Sequence, residues 1–134
     1  MIRDDRGKVT IFVAIIAPAW IAMLGLVIVG GGRVRAYQRA DNVAAEAART
    51  AGQAIAPGSA IQGGRKVIDP ALAAAAAQAY LSAVGATGTV TVSPDGQQVT
   101  VVATIRYDNP SHLEFLDGPT WTATGQATAT ILIG

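Results

Sequence analysis

His112 is the only histidine of the chain, and its neighbours decide whether it can do chemistry. Ser111 precedes it, and Glu114 and Asp117 follow closely. Serine, histidine and an acid are the parts of a nucleophilic triad, in which the histidine takes the serine proton and the acid orients the ring. Adjacent serine and histidine side chains usually point apart, however, and no oxyanion-hole motif accompanies them. An exposed loop histidine is the expectation, and no catalytic residue is assigned. Asp108, Glu114 and Asp117 offer oxygens to calcium, but their spacing matches no EF-hand loop. Cysteine is absent, which excludes disulfides, thiolate zinc sites and cysteine nucleophiles. Gly30-Gly31-Gly32 sits at the end of an apolar run and is no phosphate loop. Asp95 belongs to a turn, Asp69 to a helix cap, and Trp121 and Phe115 to a core. No enzyme, metal or cofactor is expected.

The element that dominates the chain is the stretch Val9 to Gly32, bounded by Lys8 and Arg33 and free of charge. A helix of about 20 apolar residues crosses the hydrocarbon of a bilayer, and it satisfies its backbone polar groups internally. The remainder of a 134-residue chain is too short to wrap a helix that is apolar all round. The lipid bilayer is therefore the first expected partner. The apolar run exceeds the 7–15 residues of a signal-peptide core, and no A-x-A site follows, so retention of the anchor is expected.

Charge is spread unevenly. Residues 1–50 hold Arg3, Arg6, Lys8, Arg33, Arg35, Arg39 and Arg49 against Asp4, Asp5, Asp41 and Glu46. Residues 51–134 hold Arg65, Lys66 and Arg106 against Asp69, Asp95, Asp108, Glu114 and Asp117. Positive charge brackets the membrane run and the distal part is mildly acidic. A nucleic-acid binder would place its basic cluster on the soluble part, so none is expected as partner. Basic residues flank both ends of the anchor, and the positive-inside rule does not orient it.

Within the anchor, Pro18 removes a helical hydrogen bond, and Gly25 offers a small surface for another helix. Beyond Gly32 the spacing predicts a stalk helix over 33–55. Val34, Tyr37, Ala40, Ala44, Ala47, Ala48, Ala51 and Ile55 recur mostly at three or four residues, with Arg35, Arg39, Asp41, Asn42, Glu46 and Arg49 elsewhere. The triple glycine predicts a kink between anchor and stalk. Pro18, Gly25, Val34, Tyr37, Ala40, Ala44, Ala47, Ala48 and Ala51 are the expected helix–helix assembly residues.

Arg6-Gly7-Lys8-Val9-Thr10-Ile11-Phe12-Val13-Ala14, then Pro18, then Gly32-Arg33, then Gln38 to Arg49 (QRADNVAAEAAR) resembles the N-terminal region of TadE/TadG-like proteins. These are pilin-like components of tight-adherence (Flp-type) pilus assembly. The resemblance covers roughly residues 3–55. It implies a reduced pilin-like fold and other pilus-assembly or pilin-like subunits as partners through the N-terminal helix. It also implies a cytoplasmic N-terminus with an extracytoplasmic C-terminal domain, and a possible prepilin-type cleavage between Gly7 and Lys8. Pseudopilin members resemble chains cut after the glycine, with glutamate at the fifth mature position. Here that position is Phe12, which moves the likeness toward TadG-like members, without their large additional domain.

The distal part, 56–134, reads as a small domain. Ala56 to Gly64 is punctuated as a loop. Asp69 is placed as N-cap and Pro70 as first helical residue, with Gly85 closing the helix at about Val84. Leu72, Ala76, Tyr80 and Val84 are its expected buried stripe. Strands are expected at 89–92, 99–107 and 120–133, with a turn at Ser93-Pro94-Asp95-Gly96. Residues 108–119 read as a long surface connection. In the last run Trp121, Ala123, Gly125, Ala127, Ala129 and Ile131 share one face, with mainly threonine and glutamine on the other. The expected class is α+β: anchor, stalk, second helix and three-stranded antiparallel sheet. Two functions fit. One is a structural subunit of pilus assembly. The other is a membrane-tethered extracytoplasmic binding module unrelated to pili, using the threonine face or the Asp108–Pro119 loop.

Overall fold

In the computed structural model, residues 2–108 and 118–131 are described, with the backbone alone for residues 2–4, 59 and 60. Residues 111–117 fall outside this range, and with them Ser111, His112, Glu114, Phe115 and Asp117. The chain order is helix α1 (Ile2–Gly52), α2 (Pro57–Ile61), α3 (Pro70–Ala83), then strands β1 (Thr87–Val92), β2 (Gln98–Asp108) and β3 (Thr120–Thr130). The class is α+β, as expected.

Anchor and stalk form one helix of 51 residues, about 76 Å long at 1.5 Å per residue. The helix continues without a break through Gly30–Gly32, where a kink between anchor and stalk was expected, and through Pro18. A glycine weakens a helix by only about 1 kcal/mol and keeps its backbone donor. Packing of the stalk just beyond holds the helix in register. The stalk stops at Gly52, short of 55. Ile55 instead pairs with Ile68 in an antiparallel bridge. Part of the expected loop 56–64 is the single helical turn α2, started by Pro57.

α3 begins and ends where its residues dictate. Asp69 Oδ1 accepts from the Ala71 and Leu72 amides at 2.9 and 3.1 Å, which satisfies donors that a helix start leaves open. At the other end Gly85 has φ 72°. The Gly85 amide donates to Ser82 and the Ala86 amide to Leu81, a Schellman closure. The buried stripe is Ala73, Ala77 and Leu81, one residue on from the expected one, and Leu72 is exposed. On an alanine-rich helix several parallel stripes have the same period. Tertiary contact chose the stripe whose small residues allow close approach.

The sheet order is β1-β2-β3, antiparallel throughout. The Ser93–Gly96 turn joins β1 to β2, with Gly96 at φ 68°. β3 ends at Thr130. Both long helices lie on one face. The core joins Ala40, Ala44, Ala47 and Ala51 of α1 to Ala73, Ala77 and Leu81 of α3, and to Val99, Val101, Ala103 and Ala123 of the sheet. α3 fits between α1 and β1. The other face carries threonines, with Thr100–Thr128 and Thr104–Thr124 hydroxyl pairs at 2.9 and 3.3 Å.

α1 and β3 run in the same direction. Tyr37 meets Trp121, Ala40 meets Gly125 and Gly52 meets Ala129. Nineteen helical steps from Arg33 to Gly52 span about 28 Å, and eight strand steps from Trp121 to Ala129 span about 26 Å. The two elements match over their whole shared length.

Candidate membrane anchor and assembly surface

The first half of α1 is a rod of uncovered apolar side chains. Val9, Ile11, Phe12, Val13, Ile15, Trp20, Ile21, Met23, Leu24, Leu26, Val27 and Ile28 are each more than half exposed. Burying a side chain of this kind is worth about 1.5–3 kcal/mol, so leaving the whole set in water would be very costly. The helix is long and apolar enough to cross a membrane. Pro18 lies in this half and is exposed, while Gly25 is buried. Gly7 and Lys8 are exposed helical residues, and a Cβ at Gly7 would meet nothing within 4 Å.

The stalk stripe faces a different partner from the one expected. Ala40, Ala44, Ala47 and Ala51 are fully buried and Ala48 nearly so, but what covers them is the chain's own sheet and α3. They build the head and offer no surface to a second subunit. Ala36 and Val43 join them, two positions that the spacing rule passed over because it followed a single line of residues. Val34 and Tyr37 are about half exposed. Of the nominated assembly residues, Pro18, Val34 and Tyr37 therefore remain accessible.

Where the apolar half enters the head, three aromatic rings cluster. Trp121 lies 5.7 Å from Tyr37 and 4.8 Å from Tyr107, centroid to centroid. The Arg33 guanidinium sits 4.9 Å over the Trp121 ring, a cation–π contact. The Tyr107 hydroxyl presses on Gly32, where an added Cβ would lie 1.9 Å from it. Gly32 is the place where the strand end meets the helix backbone, and no other residue fits there without moving the ring. Tryptophan and tyrosine concentrate at membrane–water boundaries, and this cluster sits level with the last residues of the apolar run.

Beside the cluster opens a cleft of about 540 Å³. Val27, Ile28 and Gly31 lie at its apolar end, and Arg35, Arg39 and Arg106 bring charge. Arg106 Nε stands 3.6 Å from Asp108 Oδ1 in an exposed pair. The sequence pattern shows the arginines but not their meeting, because Arg106 comes from β2.

Asp95 titrates below the ordinary carboxylate range, because the Ser93 hydroxyl and then the Gln97 amide donate to its charged form. That is a turn stabilised by its own side chain. Among the described residues no three metal-binding side chains gather. No family model, curated protein or solved structure matches the chain.

Proposed function

We propose that this protein is a membrane-anchored structural component of tight-adherence pilus assembly, with its C-terminal head outside the cytoplasm. The observation that carries the reading is the division of labour in α1. One continuous helix is bare and apolar over its first half, and over its second half forms the spine of a small α+β head. That plan suits a subunit that stands in a bilayer and meets others through its helix. The likeness of residues 3–55 to TadE/TadG-like proteins supplies the pilus context.

Lateral association would use the bare half, around Pro18 and its small, exposed neighbours Ala14, Ala17 and Ala22. Close approach of backbones at small residues is a main source of association between helices in lipid. Three measurements test the reading: protease treatment of spheroplasts with a C-terminal tag, co-purification with the secretion ATPase and platform proteins, and pili counted in a deletion strain. A digested tag, recovered partners and loss of pili are expected. A protected tag beside a digested outward-facing control overturns the orientation. Normal pili and no recovered partners overturn the pilus role, leaving a tethered binding module that would use the threonine face of the sheet.

A further inference from the structure

We propose that the cleft at the junction of α1 and β2 binds the phosphate headgroup of an anionic phospholipid. The inference rests on α1 crossing the membrane and not on the pilus role. Its observations are independent of each other.

The first is position. The cleft spans α1 from Val27 to Arg39, and so straddles the point where the apolar run ends at Gly32. A lipid whose chains lie along Val27 and Ile28 would carry its headgroup to the level of Arg35. The second is charge. Arg35, Arg39 and Arg106 line the cleft, and among the described residues no carboxylate does. Asp108 engages Arg106 in a solvent-exposed pair. A guanidinium offers a fork of donors that matches two phosphate oxygens at once. The third is unmet hydrogen bonding. The Tyr107 hydroxyl and the Trp121 Nε1 are buried without a partner, and Tyr107 is on the cleft wall. Buried donors are nearly always satisfied, and a phosphate or glycerol oxygen in the cleft is one group that would satisfy the tyrosine. The fourth is size. About 540 Å³ falls within the roughly 300–1,000 Å³ of small-ligand sites.

A free phosphate in solution shares the chemistry of a headgroup. The apolar end of the cleft favours the lipid, since Val27 and Ile28 would contribute nothing to an inorganic ion.

The test uses the full chain in vesicles. The chain has two tryptophans, so Trp20→Phe leaves Trp121 as sole reporter beside the cleft. Quenching of Trp121 is compared for brominated phosphatidylglycerol and brominated phosphatidylcholine at equal mole fraction. A preference of at least about twentyfold for the anionic lipid is expected, from roughly fivefold for each of Arg35 and Arg39 near an anionic surface, with Arg106 partly neutralised by Asp108 adding less. Arg35→Gln with Arg39→Gln should bring the ratio to within about twofold of unity. Arg49→Gln, an exposed arginine far along the same helix, should leave it unchanged. Equal quenching by both lipids in the parent overturns the proposal, as does a preference that survives the double substitution. Inorganic phosphate bound by the parent and lost in the double substitution, together with equal quenching by both lipids, shows a soluble-anion site and overturns it too. Flotation with pure phosphatidylcholine vesicles separates the premise. A chain that fails to float overturns the anchor and the proposal together, whereas one that floats without lipid preference overturns the proposal alone.

Discussion

Gly125 of β3 lies against the backbone of Ala40 in α1. A Cβ built on Gly125 would stand 2.3 Å from the Ala40 carbonyl carbon and 2.3 Å from the Asp41 amide nitrogen. Backbone cannot swing aside as a side chain tip can. Helix and strand approach this closely because residue 125 has no side chain and residues 40 and 44 have only a methyl. Gly125→Ala should therefore destabilise the head by about 3 kcal/mol, at the upper end of overpacking costs. Gly30→Ala, where nothing lies within 4 Å, should be neutral or stabilising by up to about 1 kcal/mol through helix propensity. Thermal melts of the full chain in detergent, followed by near-ultraviolet dichroism, distinguish the two. Equal melting temperatures would show that α1 and β3 do not touch at Gly125.

Asp69→Ala should lower stability by about 0.5–2 kcal/mol, the usual effect of losing an N-cap. Asp69→Asn should keep most of it, because the amide oxygen accepts the same two hydrogen bonds. Hydrogen exchange at Ala71 and Leu72 is the local readout. If both amides keep parental protection in the alanine variant, the cap is not what holds the α3 start.

Ala44→Glu and Ala47→Glu place a charge at fully buried sites facing the sheet. A charge buried without a partner costs several kcal/mol, so both variants should lose the protease-resistant head whether or not partners are present. Arg35→Ala and Glu46→Ala, at exposed positions, should change stability by less than about 1 kcal/mol. Limited proteolysis with a C-terminal tag reads all four. A head that stays resistant in Ala44→Glu would mean that the stripe is not covered by the sheet.

Asp95 has a folded-state pKa below its ordinary value of 3.8. The sign follows from linkage. The contribution is present in full above that ordinary value and is lost as pH falls through the lower, folded value. The Ser93–Gln97 turn should therefore loosen only in strong acid. Asp95→Asn should remove that acid limb, measured as the exchange rate of the Gln97 amide against pH. An unchanged limb in the asparagine variant would assign it to another group.

Much of the chain was legible from its residues. The run from Val9 to Gly32, a helix long and apolar enough to cross a membrane, needed only a count of apolar residues. Asp69, Pro70 and Gly85 bounded α3 because capping is settled within four or five residues of chain. Ser93-Pro94-Asp95-Gly96 made the turn, and alternation from Trp121 to Ile131 put the right residues on one face of β3. These rules are local, and the structure departs from them only by a residue or two.

What tertiary structure decided is what covers each face. Periodicity showed that Ala40, Ala44, Ala47 and Ala51 share a side of a helix, but an alanine stripe suits a partner helix and a sheet equally well. Here β3 and α3 fill it, because Gly125 allows contact with the backbone of Ala40. The same holds for α3, where Ala73, Ala77 and Leu81 were buried in preference to the neighbouring stripe by the position of α1 and β1. It also holds for the triple glycine, which reads as a hinge by propensity. In the fold Gly32 is a seat for the Tyr107 ring, and the helix continues. Local sequence carries the period and the caps. The pairing of Gly32 with Tyr107, or of Arg35 with Arg106 around one cleft, joins positions about seventy residues apart, and only packing brings them together.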